Sequence, residues 1–295
     1  MAARPLFTNR LTTGLGGVAV AGVGAVLYYR FMMPTAHADS GSPPKAFGKG
    51  PAFLSLKLES SVPINDNTKR LRFELPTQDT LTGLSISSAL LTYSWPKGSW
   101  LPCVRPYTPI TYAEEPGVLE FLIKKYPNGK QSTHMHSLQA GDTMRFLVPI
   151  PGYKWTPNKH PDVTFIAGGA GITPMYALIE GILRNPEEKT RITLVFGVNT
   201  DADVLLKKEF DAYAQRYPGR FKAVYTVSNP MPGSPLRKGY VTKELLEEVG
   251  ASPKVKNTKV FVCGPPPMEA ALMGTRKQPG ILEQMGYTKD QIYKF

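Results

Sequence analysis

Cysteine is nearly absent from this chain: Cys103 and Cys263 are the only two in 295 residues. That scarcity excludes a disulfide framework and zinc-finger spacing. It also leaves no four-cysteine motif for an iron–sulfur cluster. Internal repeats are lacking, and basic runs interleaved with aromatic residues do not occur, so nucleic acid is a poor partner. Acidic residues are in short supply: Asp and Glu number 23 against 35 Lys and Arg, for a net charge of +12. That balance favours acidic partners or anionic surfaces. The remaining composition, 42% hydrophobic and 20% charged, is that of a globular chain whose length suggests two domains.

The acid deficit is sharpest at the start, where no Asp or Glu precedes Asp39 while Arg4, Arg10 and Arg30 do. Leu11 to Tyr29 is uncharged and rich in Gly, Ala, Val and Leu, close to the ~20 residues that a bilayer-spanning helix needs. Tyr28, Tyr29 and Phe31 suit a membrane interface. Ala36-His37-Ala38 has the small-residue form of a secretory cleavage site, and an acid-free leader bearing arginine also fits mitochondrial import. We expect residues 1–38 to be a mitochondrial anchor, uncleaved or partly cleaved near Ala38. Residues 39–50, rich in Ser, Gly and Pro, read as a linker.

Two patterns follow. From 51 to 155, short apolar runs lie between turn signals. Phe53–Leu58, Thr68–Leu75, Val118–Ile123 and Thr143–Val148 are strand candidates, and with no long helical period between them they predict an antiparallel barrel. From 160 to 295, strands alternate with helices. Val163–Ala167, Ile192–Val198, Phe221–Val227 and Lys259–Cys263 are apolar, and Met175, Leu178, Ile179, Ile182 and Leu183 follow a helical period. That alternation predicts a parallel sheet with helices on both faces.

Five short strings carry chemistry. Arg105-Pro106-Tyr107-Thr108-Pro109 joins a planar fork of donors, suited to a pyrophosphate, to a flat ring and a hydroxyl on a stiff backbone. Alone it fits a core tyrosine and a surface charge equally well. Strand alternation sends Lys124 and Tyr126 to one face and Lys125 to the other. In Gly129-Lys130-Gln131-Ser132, small residues let backbone amides form an anion nest. His134 and His136 have no Cys or carboxylate at ligand spacing, so they read as surface histidines rather than a metal site. Gly168-Gly169-Ala170-Gly171-Ile172-Thr173-Pro174 runs from a strand into a helix whose N-terminus attracts phosphate. It is not the G-x-G-x-x-G fingerprint. Cys263-Gly264-Pro265-Pro266-Pro267-Met268 ends the last clear strand, where open parallel sheets bind ligands. No His–Asp arrangement stands ready to activate Cys263 as a nucleophile, and Cys103 reads as a buried thiol.

In this order and at these separations, the strings resemble the ferredoxin-reductase-like flavoproteins. Among those they look most like the NADH–cytochrome b5 reductases of the fungal mitochondrial type. The resemblance covers everything after about Pro51. It implies that Arg105, Pro106, Tyr107 and Thr108 bind FAD, with Tyr126 beside them and the Gly129, Lys130 and Ser132 loop on the pyrophosphate. Lys124 would lie near the flavin. Gly168, Gly169, Gly171, Thr173 and Pro174 would meet flavin and NADH, with Thr173 on the flavin. Cys263 would position the nicotinamide, next to Gly264, Pro265 and Met268. The terminal Phe295 would pack near the flavin or simply complete the last strand. Two positions depart from the family: Gln131 stands where Met is frequent. Ser228 stands where NADH-preferring relatives tend to carry an Asp that repels a 2′-phosphate, so NADPH is less firmly excluded.

The implied activity is transfer of a hydride from NADH to FAD and of single electrons to cytochrome b5 or a similar acidic haem protein. The implied protein is a monomer on the mitochondrial outer membrane, with a cleaved form in the intermembrane space. Two other readings stay open: a related reductase serving another one-electron acceptor, such as an iron–sulfur protein, and a membrane-tethered nucleotide-binding scaffold without turnover.

Overall fold

The first strand, β1 (Leu54–Asn65), starts one residue later than the sequence suggests and runs well past Leu58. With β2 (Thr68–Glu74), β3 (Ala89–Ser94), β4 (Cys103–Tyr107), β5 (Val118–Lys124) and β6 (Thr143–Ile150) it builds an antiparallel sheet of order β4-β3-β6-β1-β2-β5. The computed structural model describes residues 41–48, 52–253 and 256–295. The expected anchor over 11–29 and the cleavage site at 36–38 lie outside them. Among the described residues no helix is long and apolar enough to cross a membrane.

Strand β2 shows why this sequence makes a curled sheet. Leu71 and Phe73 alternate inward and are fully buried, while Arg70 and Arg72 face outward. Arg72 pairs with Glu59 of β1 at 2.7 Å and Glu120 of β5 at 2.8 Å, one cation spanning three strands. Inside, Phe146 meets Phe73 edge-on at 5.2 Å and stacks on Phe121 at 5.6 Å between ring centroids.

Two elements of this lobe depart from the sequence reading. Pro44–Phe47, expected within the linker, is bound to the lobe. Ala46 and Phe47 donate backbone hydrogen bonds to Leu81 and Thr82, and Phe47 is 1% exposed in the barrel core. One buried aromatic side chain is enough to dock a segment that composition alone marks as loose. The Gly129–Ser132 stretch, expected as a loop, opens a helix, α1 (Lys130–Ser137). This helix spans the seam between β4 and β5, the two sheet edges. Gln131 donates to Thr92 Oγ1 at 2.9 Å and accepts from Ser94 at 2.6 Å, both on β3. At the other end His136 Nε2 pairs with the Ile123 carbonyl of β5 at 2.7 Å. Polar side chains with fixed partners, rather than an apolar stripe, hold the helix in place, so periodicity does not reveal it.

The second lobe is a six-stranded sheet of order β10-β9-β8-β7-β11-β12, all neighbours parallel. Its strands are β7 (Asp162–Gly168), β8 (Arg191–Val198), β9 (Phe221–Val227), β10 (Arg237–Lys238), β11 (Lys259–Cys263) and β12 (Ile292–Lys294). Helices α2 (Ile172–Arg184) and α3 (Lys207–Arg216) cover one face. Helices α4 (Lys243–Glu248), α5 (Pro266–Met273) and α6 (Ile281–Gln284) cover the other. Strand alternation divides the core accordingly: Val163, Phe165 and Ala167 join the α2 side, and Ile166 joins the α4 side. Parallel strands buried on both faces read as continuous apolar runs, which is why the sequence locates them well.

The lobes form one compact unit over Pro43–Phe295. Ile110 and Leu122 of the first lobe belong to the apolar cluster under α2, and Arg184 of α2 lies 4.4 Å over the Tyr112 ring. The carboxyl ends of β7, β8 and β11 therefore face the end of the barrel that carries β4, β5 and α1.

Removing the hub of the barrel core should be costly. Phe146→Ala should lower folding stability by about 3–5 kcal/mol, as large aromatic truncations do, measured by denaturant unfolding. A loss below about 1 kcal/mol would mean that the ring cluster does not organise this lobe.

Candidate functional site

Three clefts meet where the lobes face each other. The first, about 640 Å³, lies between them. Pro106, Tyr107, Thr108, Lys124 and Tyr126 line its barrel side. Gly168, Gly171, Thr173, Pro174, Cys263, Gly264 and Pro265 line its α/β side, with the chain end, Tyr293 to Phe295, closing it. The second, about 650 Å³, continues along the barrel past Arg105, Tyr107 and Tyr126 to Gly129, Lys130 and Ser132. The third, about 430 Å³, runs up the α/β lobe from Lys124 and Tyr126 past Gly168, Gly169, Pro265 and Met268. Every residue singled out from sequence as a site residue lines at least one of these clefts. Tyr126 lines all three, and Lys124 lines two.

Glycines set the floor. A Cβ on Gly171 would stand 2.3 Å from the Cys263 carbonyl oxygen, and one on Gly168 would stand 2.5 Å from Met268 Sδ. At Gly171 the loops after β7 and β11 touch backbone to backbone, and at Gly168 the Met268 and Pro265 side chains fill the space. The turn Gly169–Gly171 leads directly into α2. Thr173 is 8% exposed, and its hydroxyl donates to the Ala170 carbonyl at 3.2 Å.

On the barrel side β4 ends at Tyr107. Burial and, secondarily, the neighbouring Cys103 push the Tyr107 hydroxyl up to about 12, so it is a neutral hydrogen-bonding group. The Arg105 guanidinium is exposed and, among the described residues, donates only to the Val104 carbonyl, at 2.8 Å, which leaves most of its fork for a ligand. At α1 the N-cap Gly129 offers no side chain to the first amides, which leaves these donors available to an anion. The Ser132 hydroxyl bonds within the turn, donating to Gly129 O at 3.1 Å and accepting from Tyr126 N at 3.2 Å. It holds the amides in shape.

Cys263 is half-buried at the end of β11. Burial, then the Glu269 charge, pushes its thiol up to about 12. It is a neutral thiol at physiological pH, which fits a positioning role and not nucleophilic attack. Lys124, the last residue of β5, reaches across the lobes to Asp203, with Nζ to Oδ1 at 2.6 Å. Burial opposes the Asp203 charge, but hydrogen bonds from Lys124 and Thr200 outweigh it and hold the carboxyl below its usual range.

The structure adds residues that sequence reasoning did not select. Gly197, Val198 and Asn199 at the end of β8, and Gly239, Tyr240 and Val241 after β10, line the third cleft. Tyr240 is 78% exposed there. The two-residue β10 is too short for a periodic signal, although a glycine beside an aromatic after a proline-rich turn marks the place. Ile150-Pro151-Gly152, which borders the first cleft, begins just past the strand candidate that the sequence ended at Val148. Ser228 follows β9, half-buried, its amide on the Val198 carbonyl at 3.0 Å.

Residues 55–155 match the family of oxidoreductase FAD-binding domains, and residues 165–273 match the oxidoreductase NAD-binding domains. FAD and NAD are therefore the ligands of the two lobes. The chain is 46% identical over 287 residues to NADH-cytochrome b5 reductase 2 of Emericella nidulans, covering 94% of this chain and 89% of that one. It is likewise 46% identical over 291 residues to the protein of the same name from Coccidioides immitis. Among solved structures, the cytochrome b5 reductase domain of Ulva prolifera nitrate reductase aligns with a TM-score of 0.73 and 29% identity, over 82% of this chain and 97% of that one. The CS-b5R domains of human Ncb5or align at 0.70 with 22% identity, over 84% of this chain and 70% of that one, a likeness of fold alone. With both lobes matched and nearly the whole chain aligned, the protein belongs to the NADH–cytochrome b5 reductase family of FAD-dependent oxidoreductases.

Proposed function

We propose that this chain binds FAD across the first and second clefts, takes reducing equivalents from NADH in the third, and passes electrons one at a time to cytochrome b5. The observation that carries this reading is the junction: one point, at Lys124 and Tyr126, opens onto all three clefts. FAD, when bound, supplies the step from a two-electron hydride donor to a one-electron acceptor. The chain's own residues bind, orient and exclude water.

In this reading Tyr107 and Thr108 lie along the ring system of the cofactor, and Pro106 keeps that strand end stiff. The Arg105 fork and the α1 amides after Gly129 take the pyrophosphate, with Lys130 nearby. Gly168, Gly169 and Gly171 allow the nucleotide to approach the backbone, with Thr173 and Pro174 at the start of α2. The neutral Cys263 thiol and the wall formed by Gly264, Pro265 and Met268 hold the nicotinamide against the flavin. No residue has to act as acid or base. Ser228 puts no carboxylate beside Asn199 on the third cleft, so NADPH remains admissible.

Arg105→Ala should lower the flavin-to-protein ratio of the purified protein. The parent protein should be yellow and bleach on addition of NADH, and the same titration with NADPH measures the selectivity at Ser228. Full flavin occupancy with normal bleaching in Arg105→Ala would sink the assignment of Arg105. A colourless, unbleachable parent protein would sink the enzyme reading.

Net charge supports an acidic partner. Lys125 stands exposed between two residues that line the first cleft, and Lys154 stands exposed two residues beyond Gly152, which also lines it. Raising ionic strength should then slow electron transfer to cytochrome b5 and leave ferricyanide reduction nearly unchanged. Equal salt responses for both acceptors would reject electrostatic docking and favour a different acceptor.

We further propose that residues 11–29 anchor the enzyme, as a monomer, in the mitochondrial outer membrane, and that cleavage near Ala38 releases a form into the intermembrane space. Sequence supports this reading through the acid-free, membrane-length run. A chain beginning at Asp39 should be soluble, bind FAD and keep normal turnover with a soluble acceptor, because Pro44–Phe47 is then retained. Aggregation or loss of FAD in that chain would place the leader inside the catalytic fold.

A further inference from the structure

Asp203 lies outside every motif, yet it is among the most completely bonded side chains near the clefts. It sits at the end of a single helical turn, Asp201–Asp203, that follows β8. One carboxylate oxygen accepts from the Thr200 amide at 3.2 Å and the Thr200 hydroxyl at 2.9 Å. The other accepts from Lys124 at 2.6 Å and from Asn67 Nδ2 at 3.4 Å. Thr200 belongs to the α/β lobe, while Lys124 and Asn67 belong to the barrel lobe. Asn65 adds a third crossing, donating to the Ala202 carbonyl at 2.7 Å. The side chains of Lys124 and Asp203 are 14% and 7% exposed.

Lys124 is also the only charged residue, among those described, that lines the third cleft. Its ammonium has three N–H donors. One is spent on Asp203, and no other acceptor contacts it among the described residues. A charge held this far from water needs a partner to offset the cost of burial. A flexible four-carbon stem needs a fixed point if its head is to face a cleft.

We propose that Asp203 is a positioning residue: it fixes the Lys124 ammonium at the junction of the clefts, two donors free, to receive the anionic portion of a dinucleotide in the third cleft. This rests on the reading of that cleft as the NADH site. Because the pair crosses the lobes, the same contact sets the distance between the barrel and the end of β8, so nucleotide affinity and lobe placement share one residue.

The test is kinetic and uses the FAD-loaded, full-length enzyme. Asp203→Asn removes the charge and keeps an acceptor for Thr200. It should retain FAD and the flavin spectrum, raise KM for NADH and Kd for NAD⁺ by about tenfold or more, as loss of one member of a close charge pair does, and change kcat far less. Lys124→Met should raise KM similarly. The double variant Lys124→Met/Asp203→Asn should be no worse than Lys124→Met alone, because Asp203 acts through Lys124. Unchanged KM in Asp203→Asn, or losses that multiply in the double variant, would overturn the proposal. If Asp203→Asn loses FAD, Asp203→Glu decides: raised KM with FAD retained supports the positioning role, and unchanged KM refutes it. A parent enzyme that NADH does not bleach brings down this inference together with the proposed function, whereas a bleaching parent with an indifferent Asp203 brings down this inference alone.

Discussion

Everything at the site depends on a close approach between two strand ends. Strands β7 and β11 are hydrogen-bonded neighbours, paired from Val163 with Lys259 to Ala167 with Cys263. The loops that leave them must separate to cover opposite faces of the sheet. At Gly171 they do so with the Cys263 backbone leaving no room for a Cβ atom, and at Gly168 the Met268 and Pro265 side chains fill the space. That contact leaves a flat, backbone-lined floor at the carboxyl edge of the sheet, where parallel sheets bind nucleotides. A side chain there would lift one loop and shift α2, whose buried face, from Ile172 to Leu183, carries the packing between the lobes.

The barrel presents the matching surface because its sheet does not close on itself. The edges β4 and β5 are left for α1 to span, and hydrogen bonds to β3, the neighbour of β4, and to β5 hold it there. The consequence is chemical as well as architectural. An open seam exposes a strand end bearing Arg105 and Tyr107, another bearing Lys124 and Tyr126, and the free amides of a helix N-terminus, all on one side. Among the described residues the charged side chains that line the clefts, Arg105, Lys124, Lys130 and Lys294, are all cations. This distribution suits polyanionic ligands with flat rings, held by few charges and much apolar contact.

Much of this was legible in sequence because the informative residues lie at element ends. Glycine and proline announce sharp turns whatever the fold, so Gly168–Pro174 and Cys263–Met268 could be placed after strands with no structure in hand. The buried parallel strands were equally clear, since both of their faces are apolar. Three features were hidden. Helix α1 is polar and short, with its anchoring done by Gln131 and His136 through specific partners. Strand β3 alternates too weakly, and its neighbour β4 is half exposed. Pro44–Phe47 has the composition of a linker and is fixed by a single ring and three backbone bonds.

The sequence by itself determined the two kinds of lobe, their order, the glycines of the nucleotide floor and the motif residues at the strand ends. These are local properties: period, turn chemistry and the conformations open to Gly and Pro. The tertiary structure alone decided which side chains from distant segments meet. Lys124 and Asp203 are 79 residues apart in the chain, and neither belongs to a periodic or punctuated pattern that names the other. Tyr240 and Asn199 reach one cleft from different strand ends. Such pairings depend on how two sheets are docked. Docking is set by the summed packing of Ile110, Leu122 and the buried face of α2, a property of shape that no short stretch of sequence contains.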